Sequence, residues 1–101
     1  MVKDLFTEEE IRRVSALLSA LGNPTRFKIV MLVSETRRPL HIKAIAEMLE
    51  GDYAAIYRHV KVLEGSGLIG IYEVGRSRVL YPKDEDTIRL ILEFVEKVIR
   101  K

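Results

Sequence analysis

The stretch from Gly51 to Ile69, GDYAAIYRHVKVLEGSGLI, constrains the fold most, because it combines a capped helix with the start of a strand. Asp52 is a good N-cap, and the glycines after Glu64 predict the end of the helix. At about 100° per residue, one narrow stripe is apolar and consists of Ile56, Val60 and Leu63. The nearly opposite face carries Ala54, Arg58 and Lys61. We therefore predict a helix with one buried face and one presented face.

Two helices are predicted before this segment. Thr7 and Glu10 fit a capping box at the start of a first helix, residues 8–20. The pair Asn23-Pro24 supplies a cap and a first helical position for a second helix, residues 24–34. Because Phe27 and residues 29–33 leave the second helix little polar surface beyond Arg26 and Lys28, we expect it to lie at the centre of the core.

The remaining elements are short. An edge strand is predicted at 39–41, followed by a third helix over 43–50. The inward stripe of the third helix is predicted to be Ala44, Ile45, Met48 and Leu49. Residues 68–74 and 78–82 are predicted to form two strands joined by a tight Gly-Arg-Ser turn, and a last helix follows at 85–100.

The predicted fold is mainly α with a small β-hairpin, in the order α-α-(short β)-α-α-β-β-α. The third helix, the break at Gly51 and the fourth helix form a helix-turn-helix, and the hairpin forms a wing. A chain of 101 residues is long enough for one modest core. We therefore expect residues 1–101 to form a single winged helix-turn-helix domain.

Composition excludes several classes of site. The chain has no cysteine, which excludes disulfide frameworks, thiolate metal sites and cysteine nucleophiles. No segment resembles a signal peptide or a membrane span, so we expect a cytoplasmic protein with no membrane partner. The chain lacks glutamine, has one asparagine and is rich in Glu, Lys, Arg, Ile and Val, a balance typical of proteins from thermophiles.

The net charge of +2 is unevenly distributed along the chain. Residues 22–83 carry ten Lys or Arg and six Asp or Glu, whereas residues 1–21 and 84–101 each carry one more acid than base. This distribution predicts a basic central surface between two nearly neutral helical ends.

The presented face of the fourth helix suits duplex DNA. In a helix-turn-helix, the second helix enters the major groove with its N-terminal residues at the base edges. Alanines there fit thymine methyl groups, tyrosines and basic side chains can hydrogen-bond to bases or phosphates, and a wing reaches the adjacent minor groove or backbone. The predicted DNA-binding residues are Tyr53, Ala54, Ala55, Tyr57, Arg58 and Lys61 on the helix, and Arg76 and Arg78 flanking the turn of the wing.

Each of these residues also has a structural interpretation. Two tyrosines four residues apart are often an ordinary pair on a helix surface, and basic side chains beside a hairpin turn are commonly only solvated. His59 falls on the flank of the buried stripe, so we expect a packed, hydrogen-bonded histidine rather than a ligand.

The first and last helices carry more apolar surface than one small core covers. The predicted dimer residues are Ile11, Val14, Leu17 and Leu18 in the first helix and Ile88, Ile91, Leu92, Phe94, Val95, Val98 and Ile99 in the last. We therefore expect a two-fold homodimer, which predicts an inverted-repeat operator. The alternative is a monomer that folds the last helix fully onto its own core.

Four stretches together resemble the winged helix-turn-helix of ArsR-type bacterial and archaeal repressors. They are LGNPTRFKIVMLV, IKAIAEML, AAIYRHVKVLEGSGLI and EVGRSRVLYP, and the resemblance covers about residues 8–82. It implies a homodimer through the first and last helices, and DNA binding through the fourth helix and the wing. The family's usual metal ligands are missing: the third helix has no cysteine pair, the last helix has no histidine, and His41 and His59 are the only histidines.

These observations predict a sequence-specific, double-stranded-DNA-binding transcription regulator, most simply a repressor. We expect no enzymatic activity, no cofactor and no metal, and the sequence identifies no small-molecule effector. Two alternatives stay open: an architectural protein that coats DNA with little sequence preference, and a winged-helix module that binds another protein.

Overall fold

The structure is a computed structural model that describes residues 5–36 and 38–101. The first four residues of the expected domain, and residue 37, lie outside the described residues. The elements are α1 (Glu8–Leu21), α2 (Pro24–Glu35), β1 (Leu40–His41), α3 (Ile42–Met48), α4 (Tyr53–Gly65), β2 (Ile69–Val74), β3 (Ser77–Pro82) and α5 (Glu85–Ile99). This confirms the predicted order and fold class.

Local capping sets the start of three helices as predicted. At α1, the backbone N–H of Glu10 donates to Thr7 Oγ1 at 3.1 Å, and the backbone N–H of Thr7 donates to Glu10 Oε1 at 2.8 Å. The side chain of Asn23 accepts from the backbone N–H of Arg26 at 3.0 Å. The side chain of Asp52 accepts from the backbone N–H of Ala55 at 3.1 Å and so fixes the start of α4.

The third helix differs from its prediction. It ends at Met48, two residues early, because Glu50 adopts a left-handed backbone (φ 52°) and the N–H of Gly51 closes the turn on the carbonyl of Ala46. Its buried residues are Ile42, Ile45 and Ala46. The prediction of Met48 on the inward stripe is therefore wrong, and its side chain is 54% exposed.

A three-stranded antiparallel sheet in the order β1-β3-β2 forms the wing and its base. In β2 and β3 the register pairs Val74 with Ser77, so Gly75 and Arg76 alone make the turn. Gly75 has φ +60°, as the first central position of a type II′ hairpin turn requires. The tight turn was predicted, but Ser77 belongs to the strand.

The core lies around α2, as expected. Ile29 and Val30 of α2 are fully buried, and their cluster includes residues from all five helices and from β1, β2 and β3. Helices α1 and α5 contribute Ala20 and Ile88. Ile88 was predicted at the dimer interface, but it is only 3% exposed and packs inside the chain's own core, so it offers no surface to a partner.

Candidate nucleic-acid interface

The two faces of α4 lie as the sequence predicts. Its buried residues are Ile56, Val60 and Leu63, which attach the helix to the core. On the other side Ala54, Arg58 and Lys61 are exposed. Tyr53 is exposed, whereas Ala55 and Tyr57 are half-buried. The core therefore covers one face of α4 and leaves a mixed basic and aromatic face open.

Lys61 forms an ion pair on this surface. Its Nζ lies 2.6 Å from Glu64 Oε1, and this hydrogen bond raises the pKa of Lys61. Both side chains are exposed, and such i,i+3 pairs contribute little to stability in water. A phosphate could replace the carboxylate as the partner of this ammonium group at small cost. Within residues 5–36 and 38–101, no ion pair involves Arg58 or Arg76.

The structure joins three of the predicted residues into one cluster. The rings of Tyr53 and Tyr57 are stacked, with centroids 6.4 Å apart and an interplanar angle of 9°. The guanidinium carbon of Arg78 lies 4.5 Å from the centre of the Tyr57 ring. Hydrogen bonding to the Tyr53 side chain raises the pKa of Arg78, and Tyr57 adds to the effect. The wing is thus in contact with α4 through Arg78.

Only part of this cluster is predictable from local sequence patterns. The i,i+4 spacing of the two tyrosines predicts that they are neighbours on the helix. The position of Arg78 depends on how the hairpin lies against α4, which is a long-range feature that no local pattern encodes.

The two wing arginines occupy different places. Arg76 lies within the turn rather than beside it, and it is exposed at the tip of the wing. Arg78 is the second residue of β3, opposite Glu73 of β2. The prediction that both flank the turn is therefore wrong for Arg76 in detail, although both remain on the wing.

His59 is half-buried and hydrogen-bonded, in keeping with its predicted structural role. Its Nδ1 lies 3.1 Å from Nη1 of Arg26, whose Nε donates to the carbonyl of Ala20 at 2.7 Å. Burial lowers the pKa of His59, and the charges of Arg26 and Arg58 lower it further. In the described residues no group of three or more His, Cys, Asp or Glu side chains is placed to hold a metal ion.

Apolar side chains on α1 and α5 remain at the surface. The exposed members of the predicted dimer set are Ile11, Val14, Leu18, Phe94, Val98 and Ile99. Leu17, Ile91, Leu92 and Val95 are half-buried. The sequence did not single out Phe6 and Leu90, which are also exposed. The two helices therefore present a broad apolar surface that the chain's own core does not cover.

A family model matches part of the chain. Residues 23–70, from the cap of α2 into β2, match the model for bacterial regulatory proteins of the arsR family. No curated protein matches the chain. The matched residues contain α3 and α4, the two helices of the helix-turn-helix.

Solved structures extend the likeness over nearly the whole chain. One is the homodimeric winged helix-turn-helix DNA-binding domain of a possible ArsR-family transcriptional regulator from Mycobacterium bovis, with 19% identity, a TM-score of 0.78, and coverage of 94% of this chain and 91% of that one. NolR from Sinorhizobium fredii has 20% identity and a TM-score of 0.73 and covers 96% of each chain. HlyU from Vibrio cholerae has 19% identity and a TM-score of 0.74 and covers 87% of this chain and 97% of its own.

The fold is the ArsR-type winged helix-turn-helix. The solved structures with this fold include one described as an ArsR family transcriptional regulator and the possible regulator from Mycobacterium bovis. Among the helices described here, none is long and apolar enough to cross a membrane.

Proposed function

We propose that this protein is a homodimeric transcription regulator, most simply a repressor, that binds a specific double-stranded DNA sequence. The observation that carries the proposal is the open face of α4, where Ala54, Arg58 and Lys61 are exposed beside a wing tipped by Arg76. The match of residues 23–70 to the arsR family supports the same conclusion.

In this proposal α4 lies in the major groove. Ala54 and Ala55, in its first turn, meet thymine methyl groups, and the hydroxyls of Tyr53 and Tyr57 contact bases or phosphates. Arg58 and Lys61 contact guanine edges or the backbone. The wing, which carries Arg76 and Arg78, meets the adjacent minor groove or its phosphates.

The dimer in this proposal forms through the apolar surface of α1 and α5. Leu18 on α1 is 62% exposed, and Phe94 and Ile99 on α5 are 67% and 70% exposed, more apolar surface than an isolated small domain usually leaves open. The related domain from Mycobacterium bovis is described as homodimeric, which supports the same arrangement here. A two-fold dimer places two α4 helices roughly 34 to 36 Å apart, one turn of DNA, and so reads an inverted repeat.

The decisive experiment is selection of genomic fragments bound by the wild-type protein, followed by affinity measurements on the selected sites. We expect a few strong inverted repeats whose affinity falls about a thousandfold or more between roughly 50 and 200 mM salt, as expected for six to ten phosphate contacts. Many weak sites with one common salt dependence would instead indicate an architectural protein.

Substitution tests the face directly. We expect Arg58→Ala with Lys61→Ala to weaken operator binding at least tenfold, since each basic side chain that leaves the DNA surface removes a charge contact in both protomers. The matched control is Arg12→Ala with Arg89→Ala, which removes the same charge from the exposed surfaces of α1 and α5. Operator affinity that stays at the wild-type level in the first variant would contradict the proposal and favour a protein-binding module.

A further inference from the structure

We propose that Arg78 is a positioning residue that holds the wing against α4 through Tyr57 and Tyr53, and that it affects DNA binding by fixing the angle between the wing and α4. The inference rests on the proposed function and narrows the role of one residue in it. Arg76, at the tip of the same hairpin, is the wing residue left to contact DNA.

The strand register explains why the two arginines differ. Side chains two apart in a strand lie on the same side, so Arg78 shares a face of the sheet with Leu80, which is buried in the core. The cross-strand pairs Ile71 with Leu80 and Glu73 with Arg78 continue this face toward the wing. The face that the core covers at the base of the hairpin therefore turns toward α4 at Arg78. Arg76 belongs to the turn, beyond the strand pairing.

The contact between Arg78 and Tyr57 is a cation–π interaction. The guanidinium of Arg78 lies 4.5 Å above the centre of the Tyr57 ring, well within the range of a cation–π interaction. Tyr57 in turn stacks on Tyr53, with the two rings nearly parallel. Tyr57 is half-buried against the core, so its ring is a fixed surface for the arginine. A lysine at this position keeps the charge but lacks the flat guanidinium group.

The arrangement has a consequence for the two tyrosines. Both lie at the N-terminal half of α4, which in the proposed complex faces the base edges. A wing whose Arg78 lies over the Tyr57 ring loses this contact when it changes its angle to α4. The contact thus fixes the distance between the groove that α4 enters and the groove that the wing reaches.

Salt dependence distinguishes positioning from direct contact. A side chain that contacts a phosphate contributes about one unit to the magnitude of the slope of log affinity against log salt. Arg76→Ala removes one such contact from each protomer, so it should reduce the magnitude of the slope by about two. We expect Arg78→Ala to weaken binding roughly fivefold to thirtyfold, the equivalent of one exposed cation–π contact in each protomer of the proposed dimer. The slope of log affinity against log salt should stay at the wild-type value. We expect Arg78→Lys to behave like Arg78→Ala. A lowered slope for Arg78→Ala, or wild-type affinity for Arg78→Lys, would overturn the inference.

A second measurement does not depend on DNA. In the free protein, we expect amide hydrogen exchange across residues 73–79 to become faster in Arg78→Ala and in Tyr57→Leu, and to stay at the wild-type rate in Arg76→Ala. The increase in exchange rate in the double variant Tyr57→Leu, Arg78→Ala should be smaller than the sum of the two single increases, because the two residues share one contact. Wild-type exchange in Arg78→Ala would contradict the inference. If the wild-type protein selects no DNA but the exchange pattern holds, the proposed function fails while the wing contact stands.

Discussion

At the scale of single residues, Arg26 connects three helices. It lies in α2, donates from Nε and Nη2 to the carbonyls of Ala20 and Ser19 near the end of α1, and places Nη1 3.1 Å from Nδ1 of His59 in α4. Arg26 has no acceptor, so Nδ1 of His59 must be unprotonated and must accept this hydrogen bond. The junction therefore needs a neutral imidazole.

This requirement predicts that acid weakens the fold. Burial lowers the pKa of His59 below 6.5 in the folded protein, with further lowering by Arg26 from α2 and by Arg58 on its own helix. The unfolded chain therefore binds the proton first, and His59 contributes stability above about pH 6.5 that is lost as the pH falls through the folded pKa. We expect the urea concentration at the midpoint of unfolding, measured by circular dichroism, to fall as the pH is lowered from 7.5 to 5.

The control replaces the titrating acceptor by one that does not titrate. His59→Asn keeps an oxygen near the position of Nδ1, so the midpoint of this variant should change less between pH 7 and 5 than that of the wild type. Equal pH dependence in the two proteins would mean that other groups cause the loss of stability.

At the scale of elements, capping decides which parts of the fold the sequence predicts. The starts of α1, α2 and α4 depend on a side chain and a backbone N–H three residues apart, and all three were predicted correctly. The end of α3 depends on Glu50 in a left-handed backbone conformation, which few residues other than glycine adopt, and there the prediction was wrong. The contacts of Arg78 with Tyr57 and of Arg26 with His59 join residues far apart in sequence, so no local pattern could predict them.

The cap of α2 can be tested alone. Asn23 Oδ1 accepts from the backbone N–H of Arg26 at 3.0 Å, at the start of the helix that forms the centre of the core. We expect Asn23→Ala to lower the free energy of unfolding by about 1 kcal/mol, measured by urea unfolding, since it leaves this N–H without its acceptor. Asn23→Asp keeps an acceptor and adds a negative charge at the helix N-terminus, so it should lose little. Equal losses in the two variants would show that the cap does not stabilise α2.

At the scale of the whole molecule, α1 and α5 have two kinds of apolar residue. Ala20 and Ile88 face the core and attach these helices to the α2 cluster, whereas Leu18 and Phe94 lie at the surface. The helical period predicted one broad apolar face on α5, but it could not say which of its residues the chain itself covers, and so Ile88 was assigned to the dimer interface. Packing against α2, a tertiary feature, decides the difference.

The surface residues of α1 and α5 give the last prediction. We expect Leu18→Glu with Phe94→Glu to convert the proposed dimer to a folded monomer, because each change places a charge in the proposed apolar interface, where it would lack a partner. Sedimentation at several concentrations measures the change in mass. Met48→Glu is the control for a glutamate outside the interface, since it adds one negative charge to an exposed apolar residue of α3, away from the proposed interface. The monomer should keep its affinity for a single half-site and lose the tighter binding to an inverted repeat, since that binding requires two α4 helices held one DNA turn apart. A double variant that remains dimeric, or a wild type that is monomeric at every concentration, would contradict the proposed interface and leave the face of α4 to be tested as the DNA-binding surface of a monomer.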